Sequence, residues 1–206
     1  MKEFCTIQKQ QITAETVIEK SRFIACAVHA DTAEDAMAFV AERKKKFYDA
    51  THNCYAYIVG DKAKFSDDGE PQGTAGLPMY ECLKNNKLDY LCVVVTRYFG
   101  GVKLGAGGLV RAYGGAVADV LKQCKRIEMR ECVRGEVECD YTLFQPLKRA
   151  LDGKCLVEKV DYSDKVRLTI LVLADLSTTI ADIIVQTTNG KAFFVESERV
   201  LFDYDV

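Results

Sequence analysis

The order of apolar and polar positions predicts alternating short strands and helices over the first 90 residues. Apolar residues at helical spacing follow the segment Asp31-Thr32-Ala33-Glu34. This segment predicts an N-cap at Asp31 with a glutamate three residues later. The predicted elements are strands over 4–9, 12–19, 22–29 and 53–59, a helix after residue 31, an irregular segment over 60–76, and a short helix over 77–86.

A strand, a glycine-rich turn and a helix are predicted next. Leu91–Val95 is a continuous apolar run, as in a strand buried on both faces. The following segment, residues 96–116, holds seven of the chain's 14 glycines. Glycines cluster where backbone torsions exclude other residues or where another group approaches closely. Close packing of the helix on the sheet would also explain the four later glycines, which are Gly107, Gly108, Gly114 and Gly115.

The second part of the chain has a β-α-β-β-α-β pattern, which is typical of a ferredoxin-like split unit. Its strands are predicted over 132–139, 155–162, 166–174 and 192–202, and its helices over 142–151 and 177–188. The charged run over 125–131 suits a linker. We therefore predict an α+β protein of two domains, residues 1–127 and residues 128–206.

Composition limits the class of protein. The chain has 206 residues, of which 49% are apolar, and it has no apolar run long enough to span a bilayer. This predicts a cytoplasmic protein with no membrane partner. Nine cysteines without a C-x-x-C pair indicate buried reduced thiols, not a disulfide or zinc framework. The net charge of -2 means that any contact with nucleic acid depends on a local basic patch.

Such a patch is predicted in the glycine-rich segment, because no acidic residue occurs between Asp89 and Asp119. The segment fits neither the Walker loop nor the dinucleotide fingerprint, which argues against an ordinary NTPase or dehydrogenase. A helix N-terminus after a glycine turn can still bind an anion. The candidate residues are Arg97, Lys103 and Arg111 for phosphates, Tyr98 and Tyr113 for base stacking, and Gly100, Gly101, Gly105, Gly107 and Gly108 for close backbone approach.

A possible accessory site lies upstream. His52 and Cys54 are two apart on a predicted strand, so their side chains share a face and a Cys/His nucleophile pair is conceivable. Asp67, Asp68 and Glu70 could hold a metal ion or could simply form a surface turn. Thr74 stands in a small-residue stretch that leads to a helix start. No cofactor and no metal site are assigned.

Four motifs resemble the IMPACT/YigZ family. They are Ser21-Arg22-Phe23-Ile24-Ala25, the strand from His52 to Tyr57, the loop from Ser66 to Pro78, and the segment from Val94 to Tyr113. The resemblance implies a first domain with the fold of a small-subunit ribosomal protein and of late elongation factor G domains, and a ferredoxin-like second domain. Eukaryotic members are linked to translational control under amino-acid starvation, and bacterial members to nucleic-acid or ribosome binding.

These observations favour a non-catalytic, translation-associated regulator that binds RNA or a ribosome-associated partner through its glycine-rich face. Two alternatives stay open. One is a metal-assisted hydrolase or peptidase-like enzyme that uses His52, Asp67, Asp68 and Glu70. The other is a stress regulator that binds only protein. Convergence of the cations, the His52 strand and the acidic loop on one groove would favour the enzyme hypothesis. An open basic face would favour the nucleic-acid hypothesis.

Overall fold

The computed structural model describes residues 2–203, which divide into two compact units. One unit is Cys5–Ile127, and the other combines residues 2–4 with residues 128–203. Both units contain strands and helices, so the predicted α+β class is confirmed. No helix among the described residues is long and apolar enough to cross a membrane.

The first nine elements include the five strands of one antiparallel sheet and the three helices that pack against it. They are β1 (Phe4–Ile7), β2 (Ile12–Ile18), β3 (Ser21–His29), α1 (Ala33–Lys46), β4 (His52–Val59), β5 (Lys62–Ser66), α2 (Gly76–Asn85), β6 (Leu91–Tyr98) and α3 (Gly105–Gln123). The sheet has the order β2-β3-β6-β4-β5 and all its neighbours are antiparallel. The strand β6 therefore lies at its centre.

Each face of this sheet has its own apolar core, and β6 contributes to both. Val93 and Val95 point to the core formed with α2 and α3, whereas Cys92 and Val94 point to the core formed with α1. Burial on both faces explains the continuous apolar run in β6. It also fixes the position of the residues that follow the strand, where the glycine-rich turn begins.

The second unit contains the remaining elements. They are β7 (Arg126–Cys139), α4 (Tyr141–Leu151), β8 (Leu156–Tyr162), β9 (Val166–Leu173), a 3-10 turn (Ala174–Leu176), α5 (Ser177–Thr187) and β10 (Phe194–Asp203). The sheet runs β1-β7-β9-β8, and β10 also pairs with β7. The order β8-β9-β7-β10 is that of a ferredoxin-like unit, as predicted. Side chains of α4 and α5, including Leu147 and Ile184, form its core.

Three local predictions are wrong. Residues 125–131 are not a linker: β7 begins at Arg126, and charges occupy exposed positions of a long strand. The N-cap of α1 is Thr32, not Asp31, because Thr32 is extended and exchanges hydrogen bonds with Asp35 in a capping box. The segment 60–76 is not irregular throughout, since it contains the exposed edge strand β5. Strands with mostly exposed residues lack the apolar alternation that reveals buried ones.

We expect fragments 1–127 and 128–206 to fold separately, because the core residues of each unit come from within its own fragment. Each fragment should show its own cooperative thermal transition by circular dichroism. A fragment 1–127 that melts without cooperativity would contradict the proposed domain boundary.

Candidate nucleic-acid interface

The turn between β6 and α3 depends on glycine at defined positions. A Cβ on Gly100 would lie 2.0 Å from the carbonyl carbon of Lys20, so no larger residue fits there. Gly101 and Gly105 have φ values of +85° and +68°, in the left-handed region that favours glycine. The chain thereby turns sharply from the sheet into α3. These three glycines have a backbone explanation that requires no ligand.

The glycines inside α3 have a different environment. A Cβ on Gly114 or Gly115 would meet no atom within 4 Å, and one on Gly107 would meet only the side chain of Arg111. Close packing against the sheet therefore does not explain these three residues. Gly108 alone is crowded, since a Cβ there would lie 2.9 Å from Cβ of Leu104. The side of α3 at Gly114 and Gly115 is consequently bare backbone with open space above it.

Two cations flank the N-terminal turn of α3. Lys103 and Arg111 are exposed, and no carboxylate of the described residues forms an ion pair with either. The Arg111 guanidinium lies beside the first turn, 3.6 Å from the position of a Cβ on Gly107. The N-cap Leu104 provides no side-chain hydrogen bond, and the first turn contains no acid. Positive charge and free amides thus coincide at this end of the helix.

Arg97, the third predicted phosphate-binding cation, occupies a different place. It is 5% exposed, and its Nη1 donates to Oε1 of Glu70 at 2.6 Å. Its Nη2 lies 3.3 Å from the Ser21 hydroxyl oxygen, and the guanidinium lies 5.4 Å and 5.5 Å from the ring centroids of Phe23 and Phe99. Its charge is therefore already balanced within the protein by Glu70.

Glu70 joins several elements through its buried carboxylate. Tyr113 donates to Oε1 at 2.8 Å, and Nε2 of His52 lies 3.8 Å from Oε2. Burial, with Cys54 and Glu70 nearby, raises the pKa of Tyr113 above its ordinary value. Tyr113 is fully buried and is part of the core, so it cannot serve as a stacking surface. Tyr98 is half-buried and donates to Asp49.

The carboxylates of the predicted accessory site hold their own loop together. Asp67 accepts hydrogen bonds from the amides of Gly73, Ala75 and Gly76 at 2.8 to 3.0 Å. Burial raises the pKa of Asp67, but the three amides together outweigh it, and the net pKa lies below the usual carboxyl value. Thr74 donates to the Pro71 carbonyl. The Asp67 carboxylate thus satisfies backbone amides that no helix or strand pairs in this loop.

Asp68 has a similar role. Its carboxylate accepts from the amide of Asn53 at 2.7 Å and pairs with Lys44. Its carbonyl lies 2.8 Å from Nδ1 of His52. Across residues 2–203, no three histidine, cysteine or acidic side chains are grouped as a metal ion would require. The three acids that the sequence places side by side thus contact three different sets of partners.

His52 and Cys54 face the same loop, as their spacing predicts. The Cys54 thiol is buried and donates to the Asp67 carbonyl at 3.0 Å. Burial raises its pKa to about 12. A thiol with such a pKa is almost entirely protonated at neutral pH, whereas a nucleophilic cysteine needs its thiolate. The geometry therefore gives Cys54 a structural role.

A pocket of ≈ 370 Å³ opens at the N-terminal turn of α3. Its lining combines the cations and the Glu70 carboxylate with apolar side chains: Glu70, Pro71, Arg97, Phe99, Lys103, Leu104, Gly105, Ala106 and Leu109. Sequence reasoning missed Phe99, which is 47% exposed. The signal available in the sequence was that Phe99 is an aromatic residue directly before a glycine pair in a cationic segment. The predicted accessory and phosphate sites meet here only through Glu70.

The comparison with known proteins supports the family resemblance that the four sequence motifs indicate. Residues 19–121 match the family model of the Impact N-terminal domain, and residues 137–191 match a domain of unknown function, DUF1949. The chain belongs to the IMPACT family. The resemblance of the four sequence motifs is thereby confirmed.

Relatives and one solved structure match most of the chain. IMPACT family member YvyE of Bacillus subtilis is 40% identical over 188 residues, which cover 89% of this chain and 87% of the relative. IMPACT family member YigZ of Escherichia coli is 37% identical over 83% of this chain and 89% of the relative. A crystal structure of a hypothetical protein is 31% identical, covers 96% of this chain and 98% of that chain, and has a TM-score of 0.62.

The buried pair of Glu70 and Arg97 predicts a large effect of removing one charge. We expect Glu70→Gln to lower the free energy of unfolding by about 3–5 kcal/mol, because it leaves the Arg97 charge buried without a counter-ion. Glu15→Gln is the matched control, since Glu15 pairs with Arg22 at the surface and its loss should leave the free energy of unfolding nearly unchanged. Urea unfolding measures both. If the two variants lower the free energy of unfolding equally, Glu70→Gln does not leave the Arg97 charge buried without a counter-ion.

Asp67 predicts a pH-dependent difference in stability. We expect Asp67→Asn to lower the free energy of unfolding at pH 7 by about 1–3 kcal/mol, because one amide loses its charged acceptor. A lowered pKa in the folded state stabilises the protein above the usual carboxyl value of 3.8 and loses this effect as pH falls through the folded value. The difference from the unchanged protein should be constant from about pH 5 to 8 and shrink below about pH 4. Asp61→Asn is the control, and it should change the free energy of unfolding at pH 7 much less because Asp61 lies at an exposed turn.

Proposed function

We propose that this protein is a translation-associated regulator that binds RNA, or a ribosome-associated partner, through the glycine-rich face of α3. The observation that carries this proposal is that Lys103 and Arg111, which form no ion pair with any described carboxylate, lie near a helix N-terminus without a side-chain cap. Backbone amides and a positive helix end attract phosphate, and nearby cations add to this. Nothing acidic in the first turn opposes it.

The bare side of α3 supports RNA as the ligand. Gly115 is exposed and has open space above it, and Gly107 is exposed with only the Arg111 guanidinium close to it, so a phosphodiester backbone can approach the helix closely. Phe99 is exposed beside the same turn and offers a surface on which an unpaired base can stack. Single-stranded or looped RNA has both features available. The link to translation follows from membership of the IMPACT family, whose eukaryotic members are linked to translational control.

Arg97 has a supporting role in this proposal. Its charge is balanced by Glu70, and it lines the pocket without standing on the exposed face. Only Lys103 and Arg111 are therefore counted as cations that neutralise phosphates. The number of phosphate contacts decides how strongly binding depends on salt.

The salt dependence of RNA binding tests the proposal. Two phosphate contacts on a single strand predict a slope of about -1.4 for log affinity against log salt, or about a sevenfold loss for a fourfold increase in salt. The double variant Lys103→Ala/Arg111→Ala should bring the slope close to zero. Fluorescence anisotropy of a labelled single-stranded RNA measures the slope, and the melting temperature checks that the variant is folded.

A matched pair of cations provides the control. Lys148 and Arg149 are exposed on α4 in the other unit and have no ion pair with any described carboxylate. Lys148→Ala/Arg149→Ala should leave the slope unchanged. If RNA does not bind at low salt, or if the two double variants give the same slope, the face is not an RNA site. Such a result would favour the alternative that the protein binds only protein.

A further inference from the structure

The pocket at the N-terminal turn of α3 is lined by both charged and apolar groups. Lys103 and the first residues of α3 contribute a cation and backbone amides, and Phe99, Pro71, Leu104 and Leu109 contribute apolar surface. We infer that this pocket binds a single nucleotide, with its phosphate monoester at the helix N-terminus and its base against Phe99. The choice of a nucleotide rests on the proposed function, because RNA is the polymer assigned to the adjoining face.

The phosphate position follows from the unused donors of α3. The amides of Gly105, Ala106 and Gly107 lie in the first turn, where no carbonyl of the helix can accept from them. The N-cap residue is Leu104, which has no acceptor in its side chain. The amides therefore have no side-chain cap, and Lys103, Gly105 and Ala106 all line the pocket. An anion placed there gains hydrogen bonds and a favourable interaction with the helix dipole.

A second observation, independent of the helix, also indicates a ligand. Arg97 lines the pocket, is 5% exposed, and has an Nε that finds no hydrogen-bond partner among residues 2–203. Buried polar atoms in folded proteins nearly always have a partner. Its other nitrogens are used by Glu70 and Ser21. Arg97 therefore has an unused donor that the acceptor of a ligand can satisfy.

The carboxylate of Glu70 does not prevent anion binding. Arg97 and Tyr113 both donate to its Oε1, so the negative charge is compensated at the floor of the pocket. Lys103 and the helix end are left as uncompensated positive charge. A lining that contains both an acceptor and a cation suits a nucleotide, whose base and sugar donate hydrogen bonds while its phosphate accepts them.

The apolar wall suits a base. Phe99 presents nearly half of its surface, and stacking on an aromatic ring tolerates any base because every base has a π-face. The volume of ≈ 370 Å³ falls in the range of small-molecule sites. A phosphate monoester carries a charge between about -1.5 and -2 at neutral pH, more than a phosphodiester, and therefore gains more from the helix end. The preferred ligand is a free nucleotide or a phosphorylated end of a strand.

Adenosine 5′-monophosphate, adenosine and inorganic phosphate are the probes for this pocket. Titration calorimetry should show binding of the nucleotide, and binding at least about tenfold weaker for each of the other two, because each lacks one half of the ligand. Hexa-adenylate with a 5′-phosphate should bind more tightly than the 5′-hydroxyl form. Phe99→Ala should weaken binding of the nucleotide by about tenfold and leave that of inorganic phosphate unchanged.

Ala106→Asp is the decisive variant. It places an acid in the first turn of α3, where it suits the helix dipole and preserves the fold but repels phosphate. Nucleotide binding should fall by at least about tenfold at an unchanged or higher melting temperature. Thr142→Asp introduces the same acid at the same position of α4 and should leave binding unchanged.

Two outcomes separate this inference from the proposed function. If both hexa-adenylates bind with equal affinity and the nucleotide does not bind, the pocket is not a nucleotide site, while the RNA face stands. If the nucleotide binds and Ala106→Asp abolishes this, but no RNA binds more tightly than the nucleotide, the pocket stands and the RNA face is wrong. Equal binding of nucleotide and adenosine overturns the assignment of the phosphate to the helix end.

Discussion

The buried ion pair of Glu70 and Arg97 is the interaction on which the first unit's functional end depends. Two opposite charges removed from water must be matched closely, and here Tyr113 and Ser21 supply the further hydrogen bonds. Through these contacts one carboxylate holds the loop before α2, the end of β6, the start of β3 and the middle of α3. The position of Phe99 and of the turn into α3 follows from it.

The apolar periodicity predicted the fold class and most elements because buried strands and helices differ in spacing. It could not show that Arg97 is buried whereas Lys103 and Arg111 are exposed, because the three cations look equivalent along the chain. Their difference arises from Glu70, 27 positions before Arg97 in the sequence, and becomes visible only when β6 is placed at the centre of the sheet. Exposed strands such as β5 were missed because they bury too few apolar side chains to show an alternating apolar pattern in the sequence.

The acidic loop shows why a cluster in sequence is weak evidence for a metal site. Asp67 binds three amides of its own loop, Asp68 binds the start of β4, and Glu70 turns inward to an arginine. The carboxylates of Asp67 and Asp68 thus accept from backbone amides, whereas that of Glu70 accepts from the side chains of Arg97 and Tyr113. His52 and Cys54 contact the carbonyls of Asp68 and Asp67, so the pair predicted to share a face does so, but as supports for the loop.

The glycines on the outer side of α3 also have a consequence for protein engineering. An interior helical glycine costs about 1 kcal/mol relative to alanine, and Gly114 and Gly115 touch nothing that recovers this cost. A redesign guided by stability alone would replace both with alanine and obtain a more heat-resistant helix. The same change would cover the bare backbone with methyl groups, so thermal robustness and access to this surface are opposed in this helix.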